Sequence, residues 1–297
     1  MEKIELNKII KQLDHIPALP KVVGLVLEKL DDPNTSMFEL GKIIQSDVAF
    51  ASKILQIVNS AFYGITQKVS SLGKAITMLG FRTLKSAIIG ISIIKSFGSA
   101  EFDPHAGSVL DEQSKTFAPE GLWAHSLGVA ACARCIAKKV LPSESEEAFI
   151  AGLIHDIGKL VIYNYFSETH CKITDIIKDK NILYSVAEKK HLPIFHDEIG
   201  YRVANVWNLP ESLSTAVLYH HAPYKAPENY RKIVEITHVA DIIARSLQIG
   251  SGWDVRIPKL EQDAFDNLGF TGRDIDKILK DSLQEYDDSN IFSKVIN

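Results

Sequence analysis

The chain has 297 residues, 46% of them hydrophobic and 24% charged, with a formal net charge of −4 at neutral pH. Its length suits one large domain or two ordinary ones, and its mild acidity argues against a broad nucleic-acid surface or a polybasic membrane anchor. Three cysteines, two of them inside one helical pattern, make no disulfide framework and predict a reducing cytoplasm.

Helical periodicity dominates and strand-like alternation is nowhere sustained, which predicts an all-α fold. Met1–Gln12 is charged and amphipathic, so no signal peptide is read there. The longest apolar run, Ala87–Ile94, is too short to span a bilayer. A first helix is followed by the rigid break Ile16-Pro17-Ala18-Leu19-Pro20 and a helix over Lys21–Leu30. Ser36-Met37-Phe38-Glu39 has capping-box spacing and opens the next helix. Further helices are predicted over Val48–Phe62, Ser71–Leu79 and Arg82–Phe97. The charges here, Asp47, Lys53, Arg82 and Lys85, read as caps and solvated faces, so residues 1–100 form a helical subdomain without chemistry.

Gly98–Ala118 exchanges apolar periodicity for Gly, Ser, Asp, Pro and Thr and reads as a linker, centred on 101–118. A second helical subdomain follows over 119–248. Helix Leu122–Lys139 places His125 on a stripe with Gly128, Val129, Cys132 and Ile136. Ser143-Glu144-Ser145-Glu146 has capping-box spacing before the central helix, Ala148–Tyr163. Between Ala148 and Gly158 that helix is apolar or Gly except for His155 and Asp156. A helix apolar on all sides is buried, and a carboxylate there must be paired, protonated or metal-bound. Glu168–Lys178 and Ile182–Lys189 read as ordinary amphipathic helices; Pro193–Trp207 carries His196 inward. A helix with Pro210 at its first position ends at His220-His221, and Lys232–Leu247 carries Asp241 among Val239, Ala240, Ile242 and Ile243. Residues 249–297 form a tail with helices over Gln262–Leu268 and Ile275–Glu285, the second behind the cap-like Thr271-Gly272-Arg273-Asp274.

The chemistry-bearing residues therefore concentrate in the second half: His125, His155, Asp156, His196, His220, His221 and Asp241. One histidine on an apolar face is ordinary core; this many with two carboxylates in apolar surroundings form a ligand set. Imidazole and carboxylate suit Fe or Mn, with Zn or Mg as alternatives, and Asp156 is placed to bridge two ions. His238, one turn before Asp241, is a further candidate ligand. Cys132 and Cys135 lie inside a helix and read as packing residues; His15, His105, His170 and His191 read as loop or surface residues.

His125, His155-Asp156 and Asp241 resemble the H…HD…D signature of the HD superfamily of metal-dependent phosphohydrolases. IPALPKVVGLVLEKL, IIQSDVAFASKILQIVNSAFYG and VSSLGKAITMLGFRTLKSAII resemble, more specifically, the N-terminal subdomain of HDOD proteins, the HD-related output domains. With WAHSLGVAACARCIA, AFIAGLIHDIGKLVIY and FHDEIGYRVANVWNLPESLSTAVLYHHAP, the similarity runs in order from about Leu13 to Ser246. It implies a five-helix HD-like subdomain packed on an HDOD-type helical one, in a bacterial signalling output protein. His125, His155, Asp156 and Asp241 are then ligands of one ion. His196, His220 and His221 stand where related HD-GYP phosphodiesterases hold a second, and Lys159 matches their phosphate-directed Lys.

Two departures weigh against catalysis. Ala222-Pro223-Tyr224-Lys225 replaces the GYP element, and Gly121 stands where some dinuclear relatives have a Glu, with Glu120 off by one. The leading expectation is a cytoplasmic signal-transduction module acting through an unidentified protein partner, gated by a metal or nucleotide, without nucleic-acid or membrane binding. The alternatives are a metal-dependent phosphohydrolase acting on a nucleotide or cyclic dinucleotide, with Asp156 and Lys159 catalytic, and a metal-free scaffold.

Overall fold

The computed structural model describes residues 6–13, 16, 19–32, 34–65, 69–98 and 117–296. Among these the chain is helical and contains no strand, as the periodicity predicts. The described residues fall into two units, Met1–Ile16 with Ala100–Leu283 and Pro17–Ser99 with Gln284–Asn297. Of the predicted linker only Gly98, Phe117 and Ala118 are described; the rest, His105 included, and His15 lie outside the described residues.

The larger unit contains α1 (Leu6–Leu13); the smaller contains α2 (Lys21–Asp31), α3 (Met37–Gln45), α4 (Val48–Val58) and α5 (Leu72–Gly98). The starts of α3 and α4 follow from their caps: Ser36 Oγ accepts from the Glu39 N–H at 3.1 Å and Asp47 Oδ1 from the Phe50 N–H at 2.9 Å. Val23, Val26, Leu40, Ile44, Ile54, Ile57, Leu72 and Ile88 fill this unit's core. Asn59 fastens the segment after α4: its amide donates to Leu55 O and Val69 O, both at 2.8 Å, and accepts from the Val69 N–H at 2.7 Å. The break predicted between Leu79 and Arg82 lies inside α5 at Gly80, whose φ of 76° belongs to the left-handed region open to glycine. By length and composition Leu72–Ile93 is apolar enough to cross a membrane, but Gly80 interrupts it and 56% of it is buried.

In the larger unit, α6 (Pro119–Val140), α7 (Ser145–Ile154) and α13 (Glu228–Ser246) pack through small residues. Val129, Cys132, Ile136, Ala148, Ile236, Val239 and Ile243 are core residues, joined by Leu268 from just beyond α14 (Gln262–Asn267) and Ile278 from α15 (Gly272–Ile296). A Cβ on Gly152 would stand 2.8 Å from Ala130 Cα, so glycine sets the α6–α7 approach. Around this core lie α8 (Ile157–Tyr165), α9 (Ser167–Lys180), the short α10 (Tyr184–Ala187), α11 (His196–Val206) and α12 (Glu211–Tyr219).

The central helix is two helices, α7 and α8, broken at His155-Asp156. A 3₁₀ turn occupies Pro142–Glu144 ahead of α7, whose N-cap is Glu144. Pro210 sits at the N-cap of α12, not its first position. The Thr271–Asp274 cap forms, with Asp274 Oδ2 accepting from the Thr271 N–H at 2.9 Å, but α15 continues well beyond Glu285.

Candidate metal centre

The break between α7 and α8 makes the centre possible. On a continuous helix, adjacent side chains point about 100° apart. Here His155 is the C-cap of α7 and Asp156, with φ −102° and ψ 15°, is the N-cap of α8, so both face one hollow. A helix leaves its last carbonyls unpaired. His155 Nδ1–H donates to Gly152 O at 2.7 Å, and His220, the C-cap of α12, repeats the arrangement on Val217 O at 2.7 Å. In both rings Nδ1 holds the proton, because a carbonyl can only accept, and Nε2 turns a lone pair towards the hollow.

His196 is oriented by Glu188, from the 3₁₀ turn Glu188–Lys190. Glu188 accepts from the His196 backbone N–H at 2.9 Å and from Nδ1–H at 2.7 Å. A carboxylate behind the distal ring nitrogen is the usual support of a metal-binding imidazole. Close backbone approach places the ring: a Cβ on Gly158 would stand 1.8 Å from His196 O. His221 Nε2 lies 3.0 Å from His196 Nε2.

All seven ligand candidates converge. Asp156, His196, His220 and His221 form one group and His125, His155 and Asp156 another, with one donor atom from each residue within 4.8 Å of the others in its group. Asp156 is common to both: Oδ2 is 3.2 Å from His155 Nε2, while Oδ1 is 3.3 Å from His196 Nε2 and 3.7 Å from His220 Nε2. Asp241 Oδ1 joins the His125–His155 side, 2.9 Å from His125 Nε2 and 3.8 Å from His155 Nε2.

These residues fit a divalent cation. Asp156 Oδ1 and the Nε2 atoms of His125, His155 and His220 are buried without a hydrogen-bond partner. Lone pairs facing one another in a dry interior are costly unless a positive centre sits among them. With only nitrogen and oxygen donors the set is of hard or borderline character. Burial and Arg245 push His125 down to about 4, which leaves it neutral and able to coordinate. Burial likewise lowers His220 and, with the positive His196 nearby, His221. Burial opposes charge on His196 too, but Glu188 and Asp156 outweigh it and raise it to about 10, so an ion at this imidazole must displace a proton. Burial would raise Asp156 and Asp241, but the Lys159 ammonium holds the first well below the usual carboxylate range and the Arg245 guanidinium the second.

Two further cations share the site. Lys159 is 0% exposed, so it does not snorkel to water as a helix-end lysine would. Its Nζ donates to Asp156 Oδ2 at 2.9 Å and Gly252 O at 2.8 Å, and lies 5.1 Å from the centre of the Tyr184 ring. Arg245 Nε donates to Asp241 Oδ1 at 2.8 Å and Nη1 lies 3.0 Å from Asp254 Oδ2. The stretch 249–254 lies against the start of α6. Ser251 N–H donates to Gly121 O at 2.8 Å, the Ile249 side chain meets Gly128, and Ile249 N–H donates to Ala244 O at 3.0 Å.

Other candidates fall outside the cluster. His238 is no ligand: Nδ1–H donates to His220 O at 2.8 Å and Nε2 accepts from the Glu261 N–H at 3.0 Å. His170 and His191 are buried, not surface residues, His170 against Tyr163 and Trp253 with ring centres 5.2 and 4.5 Å away. Glu120 is exposed, and Ser251 covers Gly121. Cys132 packs in the core, where burial raises its thiol to about 12. Sequence reasoning missed Glu188, Tyr184, Arg245, Gly252 and Asp254. Only Arg245, four residues after Asp241 on one helix, carried a local signal.

Comparison with known proteins places this architecture. The family model of the HDOD domain matches residues 16–223. An uncharacterized protein of Treponema pallidum (strain Nichols) is 28% identical over 243 residues, 80% of this chain but 44% of that protein, so the chain spans less than half the relative's length. The crystal structure of an HDOD domain protein of unknown function from Geobacter sulfurreducens superposes with a TM-score of 0.76 at 21% identity, covering 96% of this chain and 97% of that one. A Shewanella amazonensis SB2B protein, provisionally named a phosphohydrolase, gives 0.72 at 20% identity, with 98% of both chains covered. A second from that organism, provisionally named a metal-dependent phosphohydrolase, gives 0.64 at 21% identity over 95% of this chain and 96% of that one. At these identities the likeness is one of fold.

Proposed function

This chain belongs to the HDOD domain family, and from that premise we propose that it is a bacterial, cytoplasmic signalling module in which a buried metal centre governs binding of a protein partner. The observation that carries this reading is burial: His125, His155 and His196 are 0% exposed, and Asp156 and His220 1%. With His221 alone of the candidate ligands part-exposed, such a centre can retain an ion and transmit its state through packed helices, whereas turnover requires a substrate to reach it. His125, His155, Asp156 and Asp241 would hold one ion; His196, His220 and His221 would hold a second, with Asp156 bridging. Imidazole and carboxylate favour Fe or Mn, with Zn or Mg as alternatives. Such an ion supplies Lewis acidity and neutralises anionic charge when bound.

The two ligand groups meeting at Asp156, with Lys159 beside them, favour a second reading as a metal-dependent phosphohydrolase acting on a nucleotide or cyclic dinucleotide. In that reading Asp156 holds the ions and Lys159 faces phosphoryl oxygen.

Elemental analysis and partner capture from the native cell extract, run on wild type and Asp156→Ala, test the proposal together. The expected result is stoichiometric transition metal and a specific partner in wild type, both lost in the variant. Background metal in the wild type, or equal capture by both proteins, overturns it. Hydrolysis of a nucleotide panel with added Mn or Fe, abolished by Asp156→Ala, would give the function to the second reading.

A further inference from the structure

Asp254 occupies a place built for an anion. Its side chain is 4% exposed, and one of its oxygens, Oδ2, lies 3.0 Å from Arg245 Nη1 and 3.4 Å from Lys159 Nζ. The other, Oδ1, accepts from the backbone N–H of Tyr184. A carboxylate thus receives an ammonium, a guanidinium and a main-chain amide, the donors that recognise a phosphoryl group. Both cations are themselves almost wholly buried, at 0% and 6% exposure.

The segment that delivers Asp254 is strained. Gln248 and Trp253 have φ of 56° and 59°, in the left-handed region that side chains other than glycine rarely adopt. Gly250, at 63°, has no room for a side chain, since a Cβ there would stand 2.2 Å from His125 N. Such conformations persist when surrounding contacts impose them, and they cluster at clamps and switches. The contacts here are Ser251 on Gly121, Gly252 O on Lys159 Nζ and the Trp253 indole N–H on Ala118 O at 3.1 Å.

Resting on the second reading for Lys159, we propose that Arg245 and the Tyr184 N–H complete a phosphoryl subsite beside it, and that Asp254 on the 249–254 segment is its built-in occupant, an autoinhibitory plug. Displacing the plug exposes both cations beside Asp156, so a phosphate-bearing ligand entering there meets the metal centre directly. The subsite stands on these donors alone and requires no ion in the neighbouring centre; its success or failure is therefore separable from that of the metal reading.

The test uses the full chain, dialysed against chelator, with inorganic phosphate as probe and chloride of equal ionic strength as control. At millimolar concentrations, too low for phosphate's general stabilising effect, wild type should show the same thermal midpoint in both salts. Asp254→Ala should melt lower in chloride and recover selectively in phosphate, by about 2–4 °C or more. Adding Lys159→Met should abolish the recovery. If Asp254→Ala fails to fold, Asp254→Asn, which keeps the shape and the acceptor for Tyr184, should show the same selective response. Equal midpoints of the variant in phosphate and chloride, or a phosphate response that survives Lys159→Met, overturn the proposal.

Discussion

Glu188 acts on the centre from behind. Its two oxygens hold the backbone and the ring of His196, so Nδ1 keeps its proton and Nε2 is aimed at the hollow. Glu188→Gln preserves the shape but weakens that hold, and metal affinity should fall by about 10–100-fold in competition with a chelator. An unchanged affinity would remove His196 from the ligand set. His170 sets a different dependence. Burial, with Lys178 nearby, depresses it to about 3, so between that value and its ordinary 6.5 the unfolded chain binds the extra proton. Its contribution is complete above pH 6.5 and is lost as pH falls towards 3, at no more than about 1.4 kcal/mol per pH unit. The stability gap between wild type and His170→Phe, read from denaturant midpoints, should therefore shrink on acidification from pH 7 to about 4.5. A gap constant across that range would mean that the imidazole binds its proton equally in the folded and unfolded chain. Residue types were legible in sequence where polarity broke an apolar run, as at His155-Asp156. Glu188 and His170 were not, because each sits in a polar-looking segment whose burial comes from distant chain, Trp253 in the case of His170.

At the scale of the element, helix ends are the working parts. Four of the ligand candidates stand at such ends: His155 and His220 as C-caps, Asp156 as an N-cap and His196 as the first residue of α11. Periodicity finds helices but not a break inside an unbroken apolar run, so Ala148–Tyr163 read as one rod. The Gly80 break was legible because the apolar pattern reads as two helices, Ser71–Leu79 and Arg82–Phe97, with Gly80 between them. Glycines test the close approaches. Gly158→Ala forces a methyl group against His196 O, where 1.8 Å is left, and should cost at least about 2 kcal/mol together with metal retention. Gly24→Ala, on an exposed part of α2 with nothing within 4 Å, should instead be neutral or stabilise by about 0.5–1 kcal/mol. Equal melting of the two variants would show that the α8–α11 approach is looser than described.

Across the whole molecule, chemistry and packing are divided between the units. Every candidate ligand belongs to the larger one; the described polar residues buried in the smaller are few, with Ser92 Oγ donating to Ile88 O at 2.6 Å. A ligand stabilises what it touches, so added metal should slow amide exchange in α6–α8 and α11–α13 and leave α2–α4 unchanged. Equal protection of both units would mean that they open as one body. Helix content and the ligand-bearing half were readable from period and residue type. The contribution of residues 249–254 was not, because a short irregular stretch has no period, and its role comes from where it lands.

That stretch has fixed abutments. Ile249 is bonded to Ala244 O and Glu261 to the His238 ring, each at 3.0 Å. A span held at both footings can arch but cannot peel away, so lifting Asp254 would leave α13 and α14 at rest. It also could not be lent to a second copy of the chain without first breaking its grip on an imidazole.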